Sequence, residues 1–138
     1  MKISHQKLVT IFFTVIVLAV GTVGQAGVVS YIAVDLNPSG FTESGGLGTS
    51  GTQQVGWGNS HALLWNGSAA SYVNLNPSGF NYSVGEGISG ARQVGWGYGS
   101  TTGGKEHALL WNGSAVSYVD LNPSGFTESM AYGISGTQ

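Results

Sequence analysis

The chain has 138 residues, 24 of them glycine, with four basic side chains, six acidic ones and no cysteine. Charged residues make up 7%, against roughly 25% in an average soluble domain, which excludes a coiled coil, a conventional helical bundle and a charge-driven nucleic-acid binder. Without cysteine there is no disulfide scaffold, no thiolate zinc site and no lipidated N-terminus.

The first feature in chain order is an address. Lys2 and Lys7 make a basic start, residues 8–20 form an apolar run, and Gly24-Gln25-Ala26 closes the stretch in a small-x-small pattern. That order of charge, apolar core and small residues predicts a signal peptide over residues 1–26, carried as an N-terminal helix, and a secreted, extracellular protein. A membrane anchor is the alternative, but the apolar run is short against the roughly 20 residues that span a bilayer. Beyond residue 26 only Arg92 and Lys105 remain to face all six carboxylates. Such a surface has no basic footprint for a phosphate backbone, so nucleic acid is not expected as a partner.

The rest of the chain is dominated by an internal repeat. Leu36-Asn37-Pro38-Ser39-Gly40-Phe41 recurs over residues 75–80 and again over residues 121–126. Gly56-Trp57-Gly58 recurs as Gly95-Trp96-Gly97, and residues 61–68 (HALLWNGS) recur as residues 107–114. The copies divide the chain into repeat 1 (35–73), repeat 2 (74–119) and a partial repeat 3 (120–138), about two and a half units, as in a truncated product. Residues 98–106 are an insert in repeat 2, standing where repeat 1 has only Asn59-Ser60. Residues 61–80 and 107–126 differ only at Ala70/Val116 and Asn74/Asp120. Agreement that extends to turn and surface positions marks a recent duplication, so identity between copies assigns no role to any one residue.

Within a unit, Asn37-Pro38-Ser39-Gly40 reads as a type I turn. Residues 71–75 and 93–97 carry the β-branched and aromatic residues of short strands. Asn66-Gly67 suits a type I′ turn joining the arms HALLW and SAASYV. Residues 85–89 read as a weaker strand turning through Gly90-Ala91-Arg92. HALLW is apolar on both faces, with Ala62 and Leu64 on one and Leu63 and Trp65 on the other, so it must be covered on both. The glycines beside Trp57 and Trp96 are expected to leave room on the opposite face for a neighbouring sheet. The fold expected is all-β: tandem four-stranded antiparallel repeats, propeller-blade-like or a stacked-sheet solenoid, incomplete, after the signal helix. Two and a half units predict exposed apolar sheet faces and self-association through them.

The Gly-x-Ser-Gly-x-x-Gln-Val-Gly-Trp-Gly stretch, the His-Ala-x-Leu-Trp strand and the following Val-Asp-Leu, behind a signal peptide, resemble the HAF-type probable extracellular repeat of bacteria. The third residue of the eponymous His-Ala-Phe is here Leu63 or Leu109. The resemblance covers about residues 35–138 and implies an exported, propeller-like β-repeat protein with no established activity.

Several patterns invite chemistry. Asp35, Asn37 and Ser39, with Gly40 and Glu43, match the opening of a calcium loop, and Asp120, Asn122, Ser124 and Glu128 repeat it. The twelfth position holds Gly46 or Ala131 instead of a bidentate acid, and the middle copy has Asn74 and Tyr82 in place of the acids. A turn accounts for the segment. Gly46-x-Gly48-x-x-Gly51 and Gly85-x-Gly87-x-x-Gly90 fit the dinucleotide pattern, which has meaning only between a strand and a helix. His61 and His107 each open a strand and read as structural, with no second His or Cys at ligand spacing and no G-x-S-x-G elbow. Trp57, Trp65, Trp96 and Trp111 and the six tyrosines divide between core packing and a surface for stacking sugars. The loop from Tyr98 to Glu106 is the better place for such a surface.

No residue is assigned as catalytic, cofactor-binding or metal-ligating, and no cofactor is expected. The function expected is an exported, non-catalytic structural or binding module at the cell surface or in the extracellular matrix. Its partners would be an extracellular polysaccharide or a surface protein. The alternative is a glycan-binding or glycan-processing protein with its site between blades. A paired-carboxylate glycosidase would need two acids converging in one cleft, and the six here lie mostly at turns.

Overall fold

The computed structural model describes residues 32–136 and the short strand Thr14–Val15. The expected signal peptide and its helix lie, but for those two residues, outside the described residues. Strand β1 (Thr14–Val15) pairs antiparallel with β2 (Ala33–Val34). Two four-stranded antiparallel sheets make up the body. The first is formed by β3 (Ser44–Ser50), β4 (Gln53–Gly58), β5 (His61–Trp65) and β6 (Val73–Asn74), paired in chain order. The second repeats it with β7 (Phe80–Ser89), β8 (Arg92–Gly99), β9 (His107–Trp111) and β10 (Val119–Asp120). Three single 3₁₀ turns, Ala69–Ser71, Ser100–Thr102 and Ala115–Ser117, interrupt the connections. Among the described residues there is no α-helix and no helix long and apolar enough to cross a membrane.

The two sheets share one register. Trp57 faces Ala62 and Gly56 faces Leu63 in the first, as Trp96 faces Ala108 and Gly95 faces Leu109 in the second. Both carry an irregularity at the same place in the first strand, between Gly46 and Gly48 and between Gly85 and Gly87. The reason lies across the pair, where a Cβ on Gly56 would fall on the Gly45 carbonyl and one on Gly95 on the Val84 carbonyl. These glycines admit their own sheet's bulged neighbour strand, and the second sheet also comes close at Gly56, whose backbone O and N would lie 3.3 and 3.5 Å from a Cβ on Gly85. The intersheet approach falls to Gly85, where a Cβ would strike the Val55 side chain.

The turns also depart from expectation. Phe41 N–H donates to Pro38 O at 3.0 Å, and Gly40 has φ +85°. The turn thus begins at Pro38, one residue late, with glycine in the positive-φ third position of type II. Asn66-Gly67 is not a two-residue hairpin, for only Gly67 has positive φ and the return strand is just Val73–Asn74. Side chains close this longer loop: Asn66 N–H donates to Ser71 Oγ at 2.8 Å, and Gly67 N–H to Gln54 Oε1 at 3.0 Å. The two-residue turn with positive φ at both centres occurs at Asn59 (45°) and Ser60 (70°), between β4 and β5. The weak strand expected at residues 85–89 is half of a ten-residue strand, β7, which turns through Gly90-Ala91 into β8.

Strand β7 lies across β3, β4 and β5, bringing the second sheet onto the first. The core sits at this junction and joins Val55, Ala62, Leu64, Leu75, Phe80, Ile88, Leu109 and Trp111, with Tyr118 packed against it. Each aliphatic side chain so buried contributes roughly 1.5–3 kcal/mol. Both faces of β5 are covered, as its pattern required: Ala62, Leu63, Leu64 and Trp65 are all buried. One polar link recurs at each junction. Ser83 N–H donates to Ser60 O at 3.1 Å, and its hydroxyl accepts from Ala62 N–H at 2.9 Å. Ser129 does the same to the second sheet, with Glu106 O at 2.8 Å and Ala108 N–H at 3.1 Å. The segment leading to Ser135 thus begins to lie on the second sheet as β7 lies on the first.

Candidate functional site

The alternation of β7 and β8 places Tyr82 opposite Tyr98 and Val84 opposite Trp96 on one face of the second sheet. The Tyr82 and Tyr98 rings stack at 5.5 Å with 14° between their planes. Tyr82 and Trp96 lie 5.4 Å apart, tilted by 32°. All three are half-buried, so the rings form a short stack with part of each open to solvent. Trp96 Nε1–H donates to Glu86 Oε1 at 3.1 Å, which fixes the indole and sets a carboxylate at the edge of the group. Burial raises the Tyr82 pKa above the ordinary tyrosine value, helped by Tyr98 and by the carboxylates of Glu86 and Glu43. Just beyond Tyr98, the insert supplies the 3₁₀ turn Ser100–Thr102, with Ser100 and Thr101 exposed.

Trp65 and Trp111, by contrast, are fully buried, and their indole N–H groups have no acceptor among the described residues. They are core residues. Trp57 is half-buried and its ring is stacked on no other among the described residues. Sequence reasoning pointed to Trp96 and the Tyr98 loop but did not single out Tyr82 or Glu86. The two-residue period alone, run back from the Ser89–Arg92 pair, would set Tyr82 opposite Gly99; the irregularity between Gly85 and Gly87 shifts it onto Tyr98.

The calcium-like segments turn their oxygens inward. Asp35 Oδ1 accepts from Asn37 N–H at 2.8 Å, and Asn37 Oδ1 accepts from Ser44 Oγ at 2.8 Å. Asp120 uses one oxygen on Asn122 N–H and the other on His107 Nδ1, at 2.8 and 2.7 Å. Among the described residues no three His or acidic side chains gather as a metal-binding group. His61 Nδ1 lies 3.2 Å from Asn74 Nδ2, so the Asn74/Asp120 difference turns an amide–imidazole pair into a carboxylate–imidazole one. Both glycine patterns sit on strand-to-strand hairpins, with no helix to receive a pyrophosphate.

A groove of about 450 Å³ opens on the far side of the second sheet, lined by Val94, Leu110, Leu121, Ala131, Gly133 and Ile134 among others. Its repeat equivalents at the first junction, Val55, Leu64, Leu75 and Ile88, are all buried. Comparison with protein-family models, curated proteins and solved structures gives no match.

Proposed function

We propose that this chain is an exported, non-catalytic β-repeat protein that serves as a structural or binding module at the cell surface or in the extracellular matrix. Its sheets stack in the manner of propeller blades or a solenoid, as the resemblance to HAF-type repeats implies. The observation that carries this reading is the recurring link made by Ser83 and Ser129, each tying the start of one unit to the β-hairpin of the unit before. Supporting it, the polar side chains that first suggested chemistry close turns and pair strands: Asp35 and Asn37 bond within residues 35–44, and His61 and Asp120 each bond the adjacent strand of the same sheet.

The groove beside Leu121 and Ile134 takes up a second copy of this chain, because the repeat-equivalent surface at the first junction is covered by sequence almost identical to its own. Two measurements test the reading. Fractionation of cells expressing the full chain should place it outside the cytoplasm with residues 1–26 removed; retention inside at full length counts against export. Sedimentation velocity of the processed chain should show concentration-dependent association that Leu121→Asp abolishes. A stable monomer unaffected by that substitution would refute the stacking.

A further inference from the structure

We infer that Tyr82, Trp96 and Tyr98, with the Glu86 carboxylate at their edge, form a binding site for a neutral polysaccharide. This deepens the binding-module reading and rests on it only in placing the ligand outside the cell.

The site belongs to the second sheet alone. The first sheet keeps Trp57, but Glu43 stands at the position of Tyr82, and the short Asn59-Ser60 turn replaces the insert that begins with Tyr98. Core packing does not require the cluster, since the apolar core is built from other residues, with Trp65 and Trp111 as its buried tryptophans. Nor does stacking of units bury it. Trp57, the equivalent of Trp96, remains half-exposed although the second sheet already lies on the first. Trp96 therefore lies at the rim of a junction, where a further unit stacked as the second sheet is on the first leaves it part-exposed, as Trp57 is.

The chemistry of the rim selects the ligand. The parts of an aromatic stack left open to solvent attract the C–H faces of pyranose rings, while phenol hydroxyls and a carboxylate exchange hydrogen bonds with sugar hydroxyls. Glu86 spends one oxygen on Trp96 Nε1, and its other oxygen has no hydrogen-bond partner among the described residues. Exposed Ser100 and Thr101 extend the hydroxyl-bearing edge. Glu86 and Glu43 both act on Tyr82, so the cluster sits in a negative field. Lys105, the cation of the neighbouring insert, is paired with Glu128 at 3.5 Å. A polyanionic glycan is repelled by such a field and a neutral one is not.

Affinity electrophoresis of the full processed chain tests this, using native gels that contain hydroxyethylcellulose, a soluble β-1,3-glucan, galactomannan or alginate. At least one of the three neutral polymers should retard the protein, and alginate should not. Trp96→Ala and Tyr98→Ala should each weaken retardation about five- to tenfold, with Trp57→Ala as the unaffected control. No retardation by any neutral polymer, equal retardation by alginate, or wild-type retardation of folded Trp96→Ala and Tyr98→Ala chains would overturn the site. Should the alanine variants fail to fold, Glu86→Gln keeps side-chain shape at a half-exposed position and should still weaken retardation; no change would again overturn the proposal. Export and sedimentation do not depend on these rings, so failure here is separable from failure of the broader reading.

Discussion

The segment Leu-Asn-Pro-Ser-Gly-Phe occurs at residues 75–80 and 121–126 with identical sequence and the same turn, yet in opposite surroundings. Phe80 N–H bonds Pro77 O at 3.2 Å, and Phe126 N–H bonds Pro123 O at 3.1 Å. Leu75 and Phe80 are 0% and 7% exposed, whereas Leu121 and Phe126 are 43% and 67% exposed. The local fold is therefore written in the segment itself, through proline, the positive φ of Gly79 and Gly125, and the asparagine that bonds the phenylalanine carbonyl. Burial comes from elsewhere: Leu75 and Phe80 are enclosed because a second sheet brings Leu109, Trp111 and Tyr118 against them.

Substitution of the two leucines should break this symmetry most visibly. Leu75→Ala should lower unfolding free energy by about 2–5 kcal/mol, the cost of a core cavity, while Leu121→Ala should cost less than about 1 kcal/mol. Urea unfolding of both variants, followed by tryptophan fluorescence, measures the difference. Equal losses would mean that the faces of the second sheet are equally covered.

A smaller contrast is expected at the linking serines. Ser83→Ala removes the acceptor of the buried Ala62 N–H and the donor to Asn76 Oδ1 at 2.6 Å. It should destabilise by about 1–3 kcal/mol. Ser129→Ala acts at a part-buried contact and beside an Asn122 Oδ1 that has no partner among the described residues, so it should cost about 1 kcal/mol or less. Denaturation midpoints with unchanged slopes would confirm that stability alone moved.

The smallest effect concerns the rings that distinguish the second sheet. Tyr82, identified by the difference between wild-type and Tyr82→Phe absorbance titrations, should lose its proton above the ordinary tyrosine value, and Glu86→Gln should bring it down. Because its folded pKa is raised, Tyr82 adds stability that is fully present below the ordinary value and is lost as pH rises through the folded one.

Much of the fold was legible. Apolar residues on both faces of HALLW demanded cover on both faces, and β5 and β9 have buried residues on each side. The repeat likewise announced units of four strands. The turns were less legible, because Asn-Gly favours a tight hairpin in isolation while Gln54, Ser71, Gln93 and Ser117 offer the loop amides longer-range acceptors. At the candidate site, Trp96 was legible as one of four tryptophans divided between packing and stacking, and Tyr98 as the start of the loop best placed for recognition. Tyr82 and Glu86 were hidden, because their role depends on a strand longer than its local pattern suggested.

Sequence by itself determined the all-β character, the repeating unit and the need for covered sheets, since these follow from residue periodicity and local turn chemistry. Only the tertiary structure decided which copy of a segment is core and which is surface, and which tryptophan is packed and which joins an open aromatic cluster. Those outcomes depend on what lies across the sheet from each residue, and two identical hexapeptides cannot carry that information.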